Sequence, residues 1–197
     1  MRDFQAELKL EGIEVDSNFN NEINLFLEIL KKWNKVHNVS RMKDNELEDS
    51  VIDSLIPLNF LKDINFNSVL DIGSGNGFPA IPIAIARKNI RVAMAEPVKK
   101  KSSFLHFAKI SLNLHNAEIY SKRVEELEIG EFDIVSSRAV GESSLLLSLA
   151  EPHIKKNGGS VLLYKGSRLS HELKDISDKY SYKILSRGNR NYILFNF

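Results

Sequence analysis

A short apolar run, Val69-Leu70-Asp71-Ile72, ends in a turn with glycine at every second position: Gly73, Gly75 and Gly77. Phe78-Pro79 follows, and then a helical pattern begins. The segment reads as a strand, a tight ligand-cradling loop and a helix start. From Ser68 onward the chain keeps this rhythm. Strands are expected at 68–72, 91–96, 117–120, 132–137 and 160–164. Helices are expected at 79–88, 99–114, 143–153 and 170–179. Residues 182–185 and 192–197 suit a closing hairpin across Arg187-Gly188-Asn189-Arg190. Such alternation implies an α/β fold, a mostly parallel sheet covered on both faces. The short hairpin connection forces one antiparallel strand. Ligands of such sheets sit beyond the strand C-termini. Asp71, Glu96, Arg138 and Lys165 all fall at or just after those ends.

Residues 1–65 read as helical instead. Ile23, Phe26, Ile29, Leu30, Trp33 and Val36 recur at helical spacing over a helix from about 20 to 37. A second helix is expected from Asp44 to near Phe60, disturbed at Pro57. The best boundary is the loop around 63–67. Residues 1–65 are thus expected as a helical cap packed on a main domain of residues 66–197.

Glycine spacing narrows the ligand. The dinucleotide fingerprint G-x-G-x-x-G needs a third glycine where Phe78 stands, so it fails here. The pattern present is D-x-G-x-G-x-G. A carboxylate at Asp71 would repel a pyrophosphate and suit a cation. S-adenosylmethionine carries an ammonium and a sulfonium and no phosphate. Glu96 ends the next apolar run, roughly 20 residues on, the offset at which an acid holds a ribose diol. Asp71 and Glu96 are therefore expected to hold opposite ends of that cofactor, around the loop Gly73, Gly75, Gly77 and Phe78.

Other chemistries are poorly served. None of the 197 residues is cysteine, which rules out disulfides, iron–sulfur clusters and thiol nucleophiles and fits a reducing cytoplasm. The five histidines are scattered, so no metal site is expected. No apolar run spans a bilayer, and the first residues lack a leader pattern; a cytoplasmic protein without membrane contact follows. Nothing suggests a coiled coil, so a monomer is expected. Residues 1–67 hold 8 Lys and Arg against 13 Asp and Glu, a net of −5, while 68–197 hold 19 against 13, a net of +6. An anionic polymer should meet the second segment first. Lys99-Lys100-Lys101 opens a helix, where positive charge opposes the macrodipole, so Lys100 is a candidate phosphate contact. Arg187 and Arg190 flank the hairpin turn as further candidates.

Several blocks together resemble one family, the bacterial ribosomal RNA small-subunit methyltransferase G, also called glucose-inhibited division protein B. They are Trp33-Asn34-Lys35-Val36-His37-Asn38-Val39-Ser40, Val51-Ile52-Asp53-Ser54-Leu55, Asp71 through Pro82, Lys100-Lys101-Ser102-Ser103-Phe104-Leu105, Arg123-Val124-Glu125-Glu126, Phe132 through Ala139, and Tyr164-Lys165-Gly166. The resemblance implies a class I S-adenosylmethionine-dependent methyltransferase fold with an N-terminal helical extension. It also implies methyl transfer to N7 of one loop guanine in 16S ribosomal RNA, naked or in a small-subunit particle. By the family pattern Gly73, Phe78, Val124, Glu125 and Arg138 contact the cofactor. Arg123, Arg138, Lys165 and Arg190 match basic residues near the RNA, and Arg123, Arg138 and Lys165 are expected to position the reactants. Two departures stand out: Ala80 replaces a common glycine, and Asp49-Ser50 replaces a basic residue followed by histidine. The second leaves an RNA-facing role of the second helix unsupported.

The absence of an acid–base set agrees with this chemistry. Guanine N7 has a free lone pair and no proton, so attack on a sulfonium methyl needs no general base. Arg138 then has two possible tasks, holding guanine O6 or holding the cofactor carboxylate. A methyltransferase for another RNA or a small molecule, and a non-catalytic S-adenosylmethionine-binding module, are the alternative functions.

Overall fold

The computed structural model describes residues 2–62, 64–138, 141–166, 176 and 179–197. Three helices open the chain: α1 (Phe4–Leu10), α2 (Phe19–His37) and α3 (Asp44–Leu55). Asp3 caps α1 by accepting from the Ala6 N–H at 3.0 Å. On α2 the apolar stripe is buried: Ile23, Phe26 and Leu30 are fully inaccessible. The helix ends on Asn38, which adopts the left-handed conformation at φ 49°. Glu46 starts α3 by reaching back to the Lys43 N–H at 2.7 Å. Where a helix is predicted from 44 to about 60, α3 stops at Leu55 and a 3-10 turn follows over Ile56–Leu61. Pro57 has no N–H to continue the α ladder, and the chain tightens. Helix α1 has no separate counterpart in the sequence reading, because only Phe4 and Leu8 face inward over two turns.

The rest alternates: β1 (Ser68–Ile72), α4 (Ala80–Ala86), β2 (Arg91–Ala95), α5 (Lys99–Ser111), β3 (Ala117–Tyr120), β4 (Ile134–Arg138), α6 (Ser143–Ala150), β5 (Ser160–Lys165), β6 (Tyr182–Arg187) and β7 (Arg190–Asn196). The seven strands form one sheet in the order β3-β2-β1-β4-β5-β7-β6. Strands β1 to β5 are parallel neighbours, while β7 runs antiparallel to both β5 and β6. The hairpin turn is Gly188-Asn189, as its short connection requires. Pro82 sits in the first turn of α4, where no helical N–H is lost. The helix predicted over 170–179 lies outside the described residues except for Ile176 and Lys179.

Side chains alternate across the sheet and sort into two apolar clusters. Val69, Val92, Met94, Ile134, Leu162, Tyr164, Tyr192 and Leu194 share one with the N-terminal helices, α4 and α5. Leu70, Ile72, Ala93, Ala95, Val135, Val161, Leu163 and Ile193 belong to the other, with α6. By the same alternation Asp71, Ser136 and Arg138 fall on the first face. Phe26 of α2 packs edge-on against Phe78, ring centroids 5.2 Å apart. The cap and the glycine loop therefore share one piece of core. Strand order reverses between β1 and β4, and the crevice beyond their carboxyl ends is where α/β sheets bind ligands. Strand β4 runs to Arg138, one residue past its predicted end, and so carries that arginine in its last paired position.

Candidate active site

Gly73, Gly75 and Gly77 all have positive φ, at 74°, 56° and 94°. The loop is pinned by its own backbone: the Gly73 N–H donates to Ala95 O at 2.8 Å and the Gly77 N–H to Ser74 O at 2.8 Å. Glu96 is buried and spends both carboxylate oxygens on backbone. One accepts from the Gly75 N–H and the other from the Val98 N–H, each at 2.8 Å. It thus ties the loop to the start of α5, and each oxygen keeps a further lone pair.

Asp71 is buried behind that loop. Its Oδ1 accepts from the Ser136 hydroxyl at 2.8 Å, across the β1–β4 register pair. Its Oδ2 has no hydrogen-bond partner among the described residues. Burial pushes this carboxyl up to about 7, against the stabilising hydrogen bond from Ser136. A buried, unsatisfied carboxylate oxygen is costly unless something charged completes it.

A cleft of about 460 Å³ opens over the loop, lined among others by Gly73, Gly75, Phe78, Lys101 and Arg138. Its opposite wall is the α2–α3 link, 38–42. Asn76 donates to the Ser40 hydroxyl at 3.0 Å, and Lys100 donates to Asn38 O at 2.9 Å. Lys100 therefore compensates the carbonyl end of α2, which accounts for one positive charge at the start of α5.

A second cleft of about 370 Å³ adjoins the first, and Arg138 and Met42 line both. Arg138, Tyr164 and Tyr192 are register neighbours across β4, β5 and β7 and form a row on one face. Helix α3 covers this row with polar groups one turn apart. Arg138 Nη2 donates to the Ser50 hydroxyl at 2.9 Å and stands 3.4 Å from Asp53 Oδ2. Tyr192 donates to Asp53 Oδ1 at 2.5 Å, and Tyr164 donates to Ser54 O at 2.8 Å. Arg138 Nη1 is buried without a hydrogen-bond partner among the described residues. Burial lowers the guanidinium's pKa, opposed by the charge of Asp53. The Arg138 guanidinium also lies 5.7 Å from the Phe78 ring centroid.

The predicted residues divide accordingly. Asp71, Gly73, Gly75, Gly77, Phe78 and Glu96 build the first cleft or its support. Arg138, Lys165 and Arg190 line the second. Lys165 donates to Gly141 O at 3.1 Å. Arg123 lines neither cleft. It follows β3, three strands from β4, so roughly 14 Å of sheet separates the two columns. Val124 is buried in the cluster on the other face, its carbonyl 3.1 Å from His153 Nε2, and Glu125 is exposed. Arg187 is held by Glu11 of the cap at 2.8 Å. The sequence reading misses Ser50, Asp53 and Tyr192 as site residues. A carboxylate inside Val51-Ile52-Asp53-Ser54-Leu55 is the signal that marks one of them. Of the departing pair, Asp49 pairs with Arg2 at 2.7 Å, while Ser50 is the group that receives Arg138.

The family model for rRNA small subunit methyltransferase G, GidB, matches residues 19–190. The chain belongs to this family. The ribosomal RNA small subunit methyltransferase G of Aliarcobacter butzleri is 36% identical over 190 residues, 96% of each chain. That of Helicobacter pylori strain 26695 is 41% identical over 150 residues, 75% of this chain and 83% of the relative. Among solved structures, a methyltransferase from Geobacter sulfurreducens superposes with a TM-score of 0.65 at 14% identity, over 100% of this chain and 98% of that one. The ribosomal protein L11 methylase of Lactobacillus delbrueckii gives 0.57 at 13% identity, over 75% and 77%. Those likenesses show the fold, a class I methyltransferase fold. No described helix is long and apolar enough to cross a membrane.

Proposed function

We propose that this protein transfers the methyl group of S-adenosylmethionine to N7 of a guanine in small-subunit ribosomal RNA. The observation that carries the reading is the pair of adjoining clefts joined at Arg138, one bounded by the glycine loop and the other by a basic, aromatic wall. The first cleft fits the cofactor by its donor set. Asp71 Oδ2, buried directly behind the loop that lines this cleft, is an unsatisfied carboxylate oxygen suited to an ammonium, and Lys101 lines the cleft as a counterion for a carboxylate. Bound there, S-adenosylmethionine supplies an electrophilic methyl. The chain's own part is alignment: Gly73 and Gly75 let backbone approach closely, Glu96 fixes the loop, and Arg138 holds the incoming base beside it. Alignment of this kind supplies about 7–11 kcal/mol in favourable cases.

The second cleft then receives the flipped base, with Lys165 and Arg190 beside it and the neighbouring RNA backbone. Arg123, Arg187 and Lys100 are assigned to more distant phosphate contacts, and Val124 and Glu125 to the far edge of the cofactor site. Residues 1–65 act as a cap on the catalytic domain of 66–197. The substrate is read as 16S ribosomal RNA, naked or in a small-subunit particle, in the cytoplasm, and the enzyme as a monomer. The test is transfer of tritiated methyl from S-adenosylmethionine into small subunits from cells lacking this gene. Label in intact RNA, released as 7-methylguanosine, is expected; label in protein or none at all refutes the reading.

Asp71 gives the cofactor site a pH signature. The carboxyl must be ionised to hold the ammonium, and a proton competes below its pKa of about 7. Affinity for S-adenosylmethionine is expected to fall roughly tenfold per pH unit below 7 and to level off above it. Binding at acidic pH should release a proton, measured by calorimetry in buffers of different ionisation enthalpy. The raised pKa has the opposite sign for folding. The cofactor-free protein is favoured at low pH and loses that contribution as pH rises from 3.8 through about 7. Asp71→Asn should flatten both profiles, and unchanged profiles would exclude Asp71 from the role.

A further inference from the structure

Asp53 is the only carboxylate lining the second cleft among the described residues, and it sits beside Arg138. Its two oxygens are used unequally. Oδ1 accepts the Tyr192 hydroxyl, a short bond that fixes the carboxylate in place. Oδ2 faces two cations that stand off, Arg138 Nη2 at 3.4 Å and Arg190 Nε at 3.7 Å, neither within hydrogen-bond geometry. Arg138 meanwhile keeps Nη1 unpartnered although its side chain is only 8% exposed. The cleft wall thus sets a charged acceptor next to a charged donor.

This order matches one nucleobase edge. The Watson–Crick edge of guanine runs from the N2 amino and N1–H donors to the O6 acceptor. Adenine presents an N1 lone pair and an N6 amino group, the reverse sense. We propose that Asp53 is the specificity-determining residue of the methyltransferase. Its Oδ2 accepts from guanine N1–H and N2–H while Arg138 donates to O6. N7 is left free, which an arginine fork on both O6 and N7 would not allow. An adenine in the same place would set its N1 lone pair against the carboxylate and its amino group against the guanidinium, a repulsive pairing that rejects it. The same carboxylate favours the product, because a base methylated at N7 is cationic. Tyr192 and Ser50 are positioning residues here: Tyr192 holds Asp53 and Ser50 holds Arg138.

The inference rests on the second cleft being the seat of the target guanine. It is tested with small-subunit particles reconstituted with guanosine or inosine at the methylated position. Inosine keeps N7, O6 and N1–H and lacks only the 2-amino group. Wild-type kcat/KM is expected to favour guanosine by roughly 10–100-fold, the effect of losing a hydrogen bond to a charged acceptor. Asp53→Asn should lose most of that preference while binding S-adenosylmethionine normally, which also shows that it folds. Asp53→Glu, which keeps the charge and moves the acceptor by one methylene, should lose it too and stands in if the asparagine variant does not fold. Equal wild-type rates on both particles overturn the proposal alone. So does full preference retained in the variant. A wild-type enzyme that methylates neither particle overturns the functional reading together with it.

Discussion

Replacing Arg138 by alanine is expected to lower kcat by about 10²–10³-fold, the loss that follows removal of one preorganised donor. Affinity for S-adenosylmethionine should hardly change. The guanidinium sits where the two clefts meet, so position alone would allow it to hold either reactant. Two observations favour the base. Nη2 is committed to α3 through Ser50 and Asp53, which fixes the fork against the row of Tyr164 and Tyr192. The first cleft also has its own cations in Arg41 and Lys101, enough to meet a cofactor carboxylate without Arg138. Single-turnover methylation and equilibrium binding separate the cases. Affinity that falls in step with turnover would assign Arg138 to the cofactor. Arg138→Lys should also be strongly impaired, because an ammonium cannot span Ser50 and Asp53 and still donate to a base. The alanine variant leaves Asp53 with Tyr192 and the exposed Arg190, so some loss of stability accompanies it.

Gly77→Ala is expected to destabilise the protein by about 2–5 kcal/mol, where a typical domain has about 5–15 kcal/mol in total. Two effects add. The backbone at Gly77 has φ 94°, a conformation L side chains rarely adopt. A Cβ there would also lie 2.7 Å from Ile81 Cδ1 and 3.3 Å from Phe26 Cζ. Both side chains are fully buried, one in α4 and one in α2, so neither can step aside at low cost. Gly158→Ala separates the two effects. Its φ is similar, at 86°, but a Cβ would meet nothing within 4 Å. It should cost only the backbone strain, about 1 kcal/mol. Thermal denaturation of the two variants decides the matter: equal shifts would mean that the contact with Ile81 and Phe26 carries no weight.

The parallel core of this fold is readable because each of its elements carries its own signal. Strand 68–72 is an apolar run closed by glycines, and strand 117–120 agrees at both ends. The hairpin follows from a connection too short for anything else. The glycine loop is legible for the same reason, since its acid and glycines are close in sequence. The second cleft is different. Its members come from α3, β4, β5 and β7, and the Tyr192–Asp53 bond joins residues 139 positions apart. No local pattern reports such a meeting. Ser50 is read from sequence as a departure, yet it is the group that receives Arg138. Glu96 is read as a ribose ligand, and its oxygens turn out also to brace the loop. Arg187 is read as an RNA contact, and a contact across to the cap, with Glu11, is not visible from sequence either.

The place of β7 in the sheet has a consequence for biosynthesis. It follows β1 to β6 in the chain, yet it inserts beside β5, and it brings Tyr192 and Arg190 to a carboxylate translated far earlier on α3. A nascent polypeptide therefore holds the residues of the glycine turn well before those of the β7 wall of the second cleft. A frameshift within the β6–β7 hairpin would therefore remove Tyr192 and Arg190 from the second cleft while leaving the residues of β1 to β5 and the glycine loop unchanged.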